Sequence, residues 1–109
     1  KVLVLGVAYK QDIDDYRESP AIHVIEELKK VGALVDFYDP WVPRYKRHGQ
    51  IQIGLKELSA ETVASYDLVI ITTAHSNVDY EMVQKSAKVV FDTKNVMNKV
   101  ADRQNVEVL

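Results

Sequence analysis

The chain has 109 residues, the size of one domain with room for a sizeable core, and its 47% hydrophobic and 28% charged residues suit a folded protein rather than a disordered one. Fourteen Lys and Arg against sixteen Asp and Glu give a net charge of -2 with neither sign gathered into a block, which excludes the basic stripe of a non-specific nucleic-acid binder. The lack of cysteine excludes disulfides, thiolate nucleophiles and cysteine metal sites and fits the cytoplasm, and no signal peptide or apolar run of roughly 20 residues points to export or a membrane.

The chain opens on Val2–Leu5, a continuous apolar run stopped by Gly6, which reads as a strand covered on both faces in a parallel sheet. Its start directly after Lys1 leads us to expect a domain cut from a longer polypeptide. After a polar loop, Ser19-Pro20 reads as a helix start: the Ser side chain caps free N–H groups, and Pro lacks only an N–H that would go unpaired there. Ala21, Val24, Ile25 and Leu28 recur on one helical face, with Glu26, Glu27, Lys29 and Lys30 on others. Gly32 tolerates the positive φ of a helix stop, and Lys29-Lys30 lie at the favourable end of the helix dipole.

A second strand over 34–38, ended by Asp39-Pro40, completes a β-loop-α-β unit with parallel strands and a right-handed crossover. Residues 41–58 have no firm period; a Pro-Arg-Tyr-Lys-Arg-His loop is followed by a short strand at 51–53. A short helix over 60–65 precedes the β-branched strand 68–72. Next come a polar loop over 75–80, a helix over 81–87, a strand over 89–91 ended by Asp92, and an edge strand over 106–109. This alternation predicts a single α/β domain over 1–109, an open, doubly wound, mainly parallel sheet in three layers, α/β/α. Such sheets bind ligands beyond the carboxyl ends of their strands, where strand order reverses, so loops 6–17, 39–43, 72–77 and 92–95 are the ones that matter.

The first of these is not a dinucleotide fingerprint, because Val7-Ala8-Tyr9-Lys10 replaces the glycines of G-x-G-x-x-G that let backbone approach a pyrophosphate. It offers side chains instead. Lys10 and Arg17 suit anionic oxygens, Arg17 bidentately, Tyr9 suits a sugar or base, and the helix entered at Ser19 adds a partial positive end nearby. Residue chemistry alone leaves this even with a solvated loop in which Asp12, Asp14 and Asp15 merely hold the basic side chains.

Asp39 stands where a dinucleotide-binding sheet keeps its ribose-binding acid; without the glycines, a cap on the turn into Pro40 is the better reading. His75 with Asp79 suggests a general base or a metal pair lacking a third ligand, against which stands a loop His hydrogen-bonded at the sheet edge. His23 and His48 read as helix-surface and loop residues. Trp41 and Tyr45 among Arg44, Lys46 and Arg47 lack the surrounding basic surface of a nucleic-acid patch and read as cover for the sheet edge or contact with a neighbouring domain.

A different class, a non-catalytic module such as a phosphoacceptor receiver, would use Thr72 or Thr73 and Lys94. It also needs an acid pair directly after the first strand and an acceptor Asp ending the third, whereas here the acids start at Asp12 and Asp39 ends the second.

The run Gly6-x-Ala8-Tyr9-Lys10-x-Asp12-x-x-Asp15-x-Arg17-Glu18-Ser19-Pro20 resembles the opening of the C-terminal, UDP-sugar-binding domain of the UDP-glucose/GDP-mannose dehydrogenase family. Tyr38-Asp39-Pro40, the strand 67–73 with His75 after it, and Asp92-x-x-Asn95 extend the resemblance over nearly the whole chain. The form Asp-Ile-Asp-Asp-x-Arg-Glu-Ser-Pro-Ala is most similar to the branch oxidising UDP-N-acetylhexosamines, such as UDP-N-acetylglucosamine 6-dehydrogenase.

The resemblance implies a Rossmann-like domain of an enzyme of polysaccharide biosynthesis that turns a sugar C6 alcohol into a carboxylate in two NAD-dependent hydride transfers. It implies that Tyr9 and Lys10 contact the UDP-sugar and that Arg17 reaches NAD from across a closed cleft. Lys94 stands where many members carry a substrate-touching Arg, so it is either a point-charge contact in place of a bidentate one or a solvent-exposed Lys. The family's catalytic cysteine lies in a part preceding this domain, and this chain has none. No catalytic residue is therefore expected here, and the isolated domain is expected to be inactive. NAD is expected to be bound mainly by an N-terminal domain, with a central helical segment forming a homodimer; no metal, nucleic-acid or membrane partner is expected.

Overall fold

In the computed structural model, which describes residues 1–10, 12, 15–17, 19–100 and 104–108, the chain order begins β1 (Val2–Leu5), α1 (Pro20–Lys30) and β2 (Val35–Tyr38). It continues through β3 (Arg44–Arg47), β4 (Gln50–Ile53), α2 (Ala60–Ala64), β5 (Leu68–Ile71), α3 (Tyr80–Ser86), β6 (Val90–Asp92), a 3₁₀ turn (Val96–Lys99) and β7 (Val106–Val108). One five-stranded sheet runs in the order β2-β1-β5-β6-β7, every pairing parallel. Successive side chains on a strand point to opposite faces. Val2, Val4 and Ile70 accordingly pack with Ala21, Ile22 and Ile25 of α1, while Leu3, Leu5, Val69 and Ile71 pack with Val63, Val83 and Met97 on the other side. The three expected layers follow from that division.

From β1 the chain moves outward to β2 and then returns past β1 to β5, so strand order reverses between β1 and β5. The crevice beyond their C-terminal ends is the predicted ligand position. α1 starts as the sequence implies: Pro20 is its first residue and the Ser19 hydroxyl accepts the Ala21 N–H at 3.2 Å. The edge strand at the C-terminus is β7, parallel to β6; Leu109, included in the expected strand, lies outside the described residues.

The expected loop at 43–48 is instead the first strand of a hairpin, with Arg44 opposite Ile53 and Arg47 opposite Gln50. The two connecting residues, His48 and Gly49, both have positive φ, 52° and 77°, the condition for a tight hairpin turn whose twist matches its strands. One apolar residue fastens the hairpin to the domain. Tyr45 is buried, its ring 5.1 Å from that of Phe37 on the edge strand β2 and 5.9 Å from that of Tyr16. Tyr45 therefore covers the sheet edge, while Trp41 stays exposed. Among the described residues no helix is long and apolar enough to cross a membrane.

The end of β1 presses against the end of β5. Gly6 has φ +94°, and a Cβ there would lie 2.4 Å from Thr73 Cβ. Gly32 has a similar φ, +93°, with nothing within 4 Å of an added Cβ. Gly32→Ala should cost only backbone strain, about 1–3 kcal/mol, and Gly6→Ala distinctly more because Thr73 must also move. Urea unfolding of the two variants checks the order.

Candidate functional site: a cationic cleft where strand order reverses

Asp39, the residue after β2, organises the strand ends. Its Oδ2 accepts the N–H groups of Val7 at 2.8 Å and Ala8 at 2.9 Å, and its Oδ1 accepts those of Trp41 at 2.8 Å and Val42 at 3.0 Å. The last two bonds are the turn cap read from the sequence. The first two explain the missing glycines: the amides that a G-x-G-x-x-G loop offers to a pyrophosphate here meet an internal carboxylate.

His75, 1% exposed, adds its Nε2 at 2.8 Å from Asp39 Oδ2, while its Nδ1 accepts the Asp12 N–H at 2.7 Å. A backbone N–H can only donate, so Nδ1 carries the lone pair and Nε2 carries the proton. The ring lies beyond the central strand β5 and not at the sheet edge. Asp79 does not join it, serving instead as the cap of α3 by accepting the Met82 N–H at 3.1 Å. Among the described residues no three His, Asp or Glu side chains gather to hold a metal ion.

The Asp12 carboxylate turns to Ser76, accepting its N–H at 2.9 Å and its hydroxyl at 2.8 Å, and these bonds hold the carboxyl below its usual range. Of the acids expected to hold the loop's basic side chains, only Asp15 is seen to do so; Asp14 lies outside the described residues, as does Glu18.

Thr72 donates its hydroxyl to the carbonyls of Leu5 and Gly6, and Thr73 donates to that of Ala8 at 2.8 Å. With both hydroxyls and Asp39 engaged in this way, the receiver arrangement is not formed. What forms is a cleft of ≈ 300 Å³ lined by Tyr9, Lys10, Thr72, Thr73, Ala74 and Lys94. It brings Tyr9, Lys10 and Lys94 together from the loops after β1 and β6. Lys10 Nζ is 5.8 Å from the Tyr9 ring centre, within cation–π range.

Lys94 is placed by the buried carboxylate of Asp92, which accepts the N–H groups of Lys94 at 3.0 Å and Met97 at 2.9 Å. Among the described residues none that lines the cleft is a carboxylate, and two lysines and a phenol ring line it. That combination suits an anion carrying a ring. A larger depression of ≈ 410 Å³ between α1 and the hairpin lies away from the strand ends and is crossed by the Glu26–Arg47 ion pair.

Arg17 is not in the cleft. It lines a separate depression with Tyr16, Lys46, Arg47 and His48, its side chain 82% exposed. Its guanidinium meets Asp15 through Nε at 3.1 Å and Nη2 at 3.0 Å, which holds the Asp15 carboxyl at about 2. The basic company of Lys46 and His48 had no signal in the sequence once 43–48 was read as a loop. The latching roles of Thr72 and Thr73 were likewise not anticipated.

A carboxyl lowered on folding contributes stability above its unfolded value near 3.8, and the contribution is lost as pH falls toward about 2. NMR titration should give Asp15 a midpoint of about 2, returning toward 3.8 in Arg17→Ala. A midpoint unmoved by that substitution would contradict the pairing.

These features define a class: a doubly wound α/β binding domain whose first loop presents side chains, not glycine amides, at the reversal of strand order. Residues 3–99 match the UDP-glucose/GDP-mannose dehydrogenase family, UDP binding domain, and the chain belongs to that family. It is 36% identical over 107 residues to the UDP-N-acetyl-D-mannosamine dehydrogenase of Methanocaldococcus jannaschii, covering 91% of this chain and 23% of that protein. Identity is 27% over 104 residues to the UDP-N-acetyl-D-glucosamine 6-dehydrogenase of Pseudomonas aeruginosa, covering 90% and 24%. The native structure of the UDP-N-acetyl-mannosamine dehydrogenase of Staphylococcus aureus superposes with a TM-score of 0.71 at 34% identity, over 99% of this chain and 25% of that one. This chain thus spans about a quarter of the length of the relatives it matches. Both curated relatives are named for UDP-N-acetylhexosamines, as the resemblance implied.

Proposed function

We propose that the chain is the UDP-sugar-binding domain of a longer NAD-dependent UDP-N-acetylhexosamine 6-dehydrogenase, with Lys10 and Lys94 facing the anionic groups of the substrate and Tyr9 packing on one of its rings. The observation that carries this reading is the convergence of Tyr9, Lys10 and Lys94 on one cleft where strand order reverses, with no carboxylate among its described lining residues. A nucleotide diphosphate needs fixed cations, and so does the carboxylate that develops when a C6 alcohol is oxidised in a site closed to water. Lys94 supplies a point charge rather than the planar fork of an Arg.

The oxidation itself belongs to parts of the enzyme outside this chain, since no cysteine is present here to act as the thiol nucleophile. NAD, held mainly by another domain, supplies the hydride acceptor. An exposed guanidinium beside Lys46 and His48 suits the phosphates of that cofactor approached from across the cleft, which is the role proposed for Arg17. The amides of Val7 and Ala8 take no part in holding it, being occupied by Asp39. The same reading has the enzyme as a cytoplasmic homodimer that makes oxidised sugar precursors for polysaccharides.

Calorimetry of the full-length enzyme with a UDP-N-acetylhexosamine tests the assignment. Lys10→Ala removes a charge-assisted contact worth about 1.5–3 kcal/mol and should weaken binding about 10–100-fold. Lys94→Arg should bind as well as the parent or better. Unchanged affinity in Lys10→Ala would sink the site.

A further inference from the structure

We propose that His75 is a positioning residue of the nucleotide-sugar site, a neutral imidazole strut that fixes Tyr9 and Lys10 by accepting the Asp12 N–H at the far end of the segment that carries them, its Nε2–H bond to Asp39 holding the ring in place. The inference rests on the reading of Tyr9 and Lys10 as substrate contacts and specifies how they are held.

The segment from Val7 to Asp12 has two anchors. At one end the Val7 and Ala8 N–H groups bond Asp39 Oδ2; at the other the Asp12 N–H bonds His75 Nδ1. The same imidazole reaches Asp39 Oδ2 through Nε2, so one ring spans both anchors. Tyr9 and Lys10 lie between them, both exposed, with the bond from the Tyr9 N–H to the Asp15 carbonyl closing the loop behind them.

Asp12 adopts φ 59°, a left-handed conformation that a non-glycine residue holds only when its surroundings insist on it. Those surroundings are the His75 ring and the two bonds from Ser76 to the Asp12 carboxylate. His75 is itself immobilised: its side chain is 1% exposed, and the Tyr80 hydroxyl donates to its carbonyl at 2.8 Å.

Both ring nitrogens are engaged in opposite senses, and only the neutral Nε2–H tautomer satisfies them together. His75 is not among the residues lining the cleft. It acts through Tyr9 and Lys10, not on the ligand.

The two bonds of the ring can be separated. An Asn amide sits near the Nδ1 position, so His75→Asn keeps an acceptor for the Asp12 N–H and gives up the reach to Asp39. A Gln amide extends to the Nε2 position, so His75→Gln keeps a donor to Asp39 and gives up the acceptor for Asp12. The buried Asp39 carboxylate loses a donor only in His75→Asn, which should therefore be the less stable variant on thermal unfolding.

Affinity should run the other way. In the full-length enzyme, His75→Gln should weaken UDP-N-acetylhexosamine binding and raise KM about tenfold with kcat little changed, while His75→Asn stays within about threefold of the parent. Affinities that follow the order of stability would overturn the proposal, because a merely structural histidine predicts that result. Long-range ¹H–¹⁵N spectra of the unsubstituted protein provide a check that does not depend on either variant folding. A neutral Nε2–H pattern for His75 is expected, and an Nδ1–H or doubly protonated pattern at neutral pH would overturn the strut. If Lys10→Ala weakens binding and His75→Gln does not, the strut fails while the site stands; if neither weakens it, both readings fall.

Discussion

The carboxylate of Asp39 sits at the meeting point of the ends of β1, β2 and β5, out of water, and accepts four backbone N–H groups together with the proton of His75. An isolated charge in such a place would be prohibitive, and its burial is tolerated because these donors replace the lost water. Two of them, Val7 and Ala8, stand where a dinucleotide-binding loop leaves amides open for a pyrophosphate. By occupying those two amides, Asp39 leaves the Tyr9 and Lys10 side chains as what this loop turns toward the cleft. Of the fingerprint glycines only Gly6 is needed, for its φ of +94° and for the close approach of Thr73.

Asp92 does at the end of β6 what Asp39 does at the end of β2: a buried carboxylate takes the amides of the following turn, here those of Lys94 and Met97. Acids at the strand ends thus face inward, onto backbone, and bases face outward into the cleft. A chain with net charge -2 thereby presents a locally cationic site. The distinction between side chains that hold the frame and side chains left available for a ligand is the physical basis of the site assignment.

Much of the frame was legible because local physics dictates it. Val2–Leu5 and 68–72 are apolar runs, and Ser19-Pro20 is a helix start in two residues. Of the hairpin only the second strand was legible, read at 51–53 and found as β4; the first was not, because β3 reads Arg-Tyr-Lys-Arg, its one buried apolar side chain is Tyr45, and the turn is His-Gly with positive φ at both positions. The turn-capping half of Asp39 was legible because Trp41 and Val42 are sequence neighbours. Its other half joins residues 31, 32 and 36 positions away, which no local pattern records.

For the site, residue chemistry left Lys10 and Arg17 even with ordinary surface charges, and only the family resemblance nominated them. The structure then divides them, with Lys10 in the cleft beside Tyr9 and Lys94, and Arg17 on a separate basic depression. That division depends on which way each end of the 6–17 loop faces and could not be taken from spacing.

Titration of the ¹⁵N-labelled chain with UDP, followed amide by amide, tests the cleft most directly. The largest shifts should fall on Tyr9, Lys10, Thr73, Ala74 and Lys94, with the hairpin amides of Lys46, Arg47 and Gln50 little affected. Shifts centred on the hairpin and α1, with the strand-end loops unmoved, would contradict the placement of the nucleotide-sugar site.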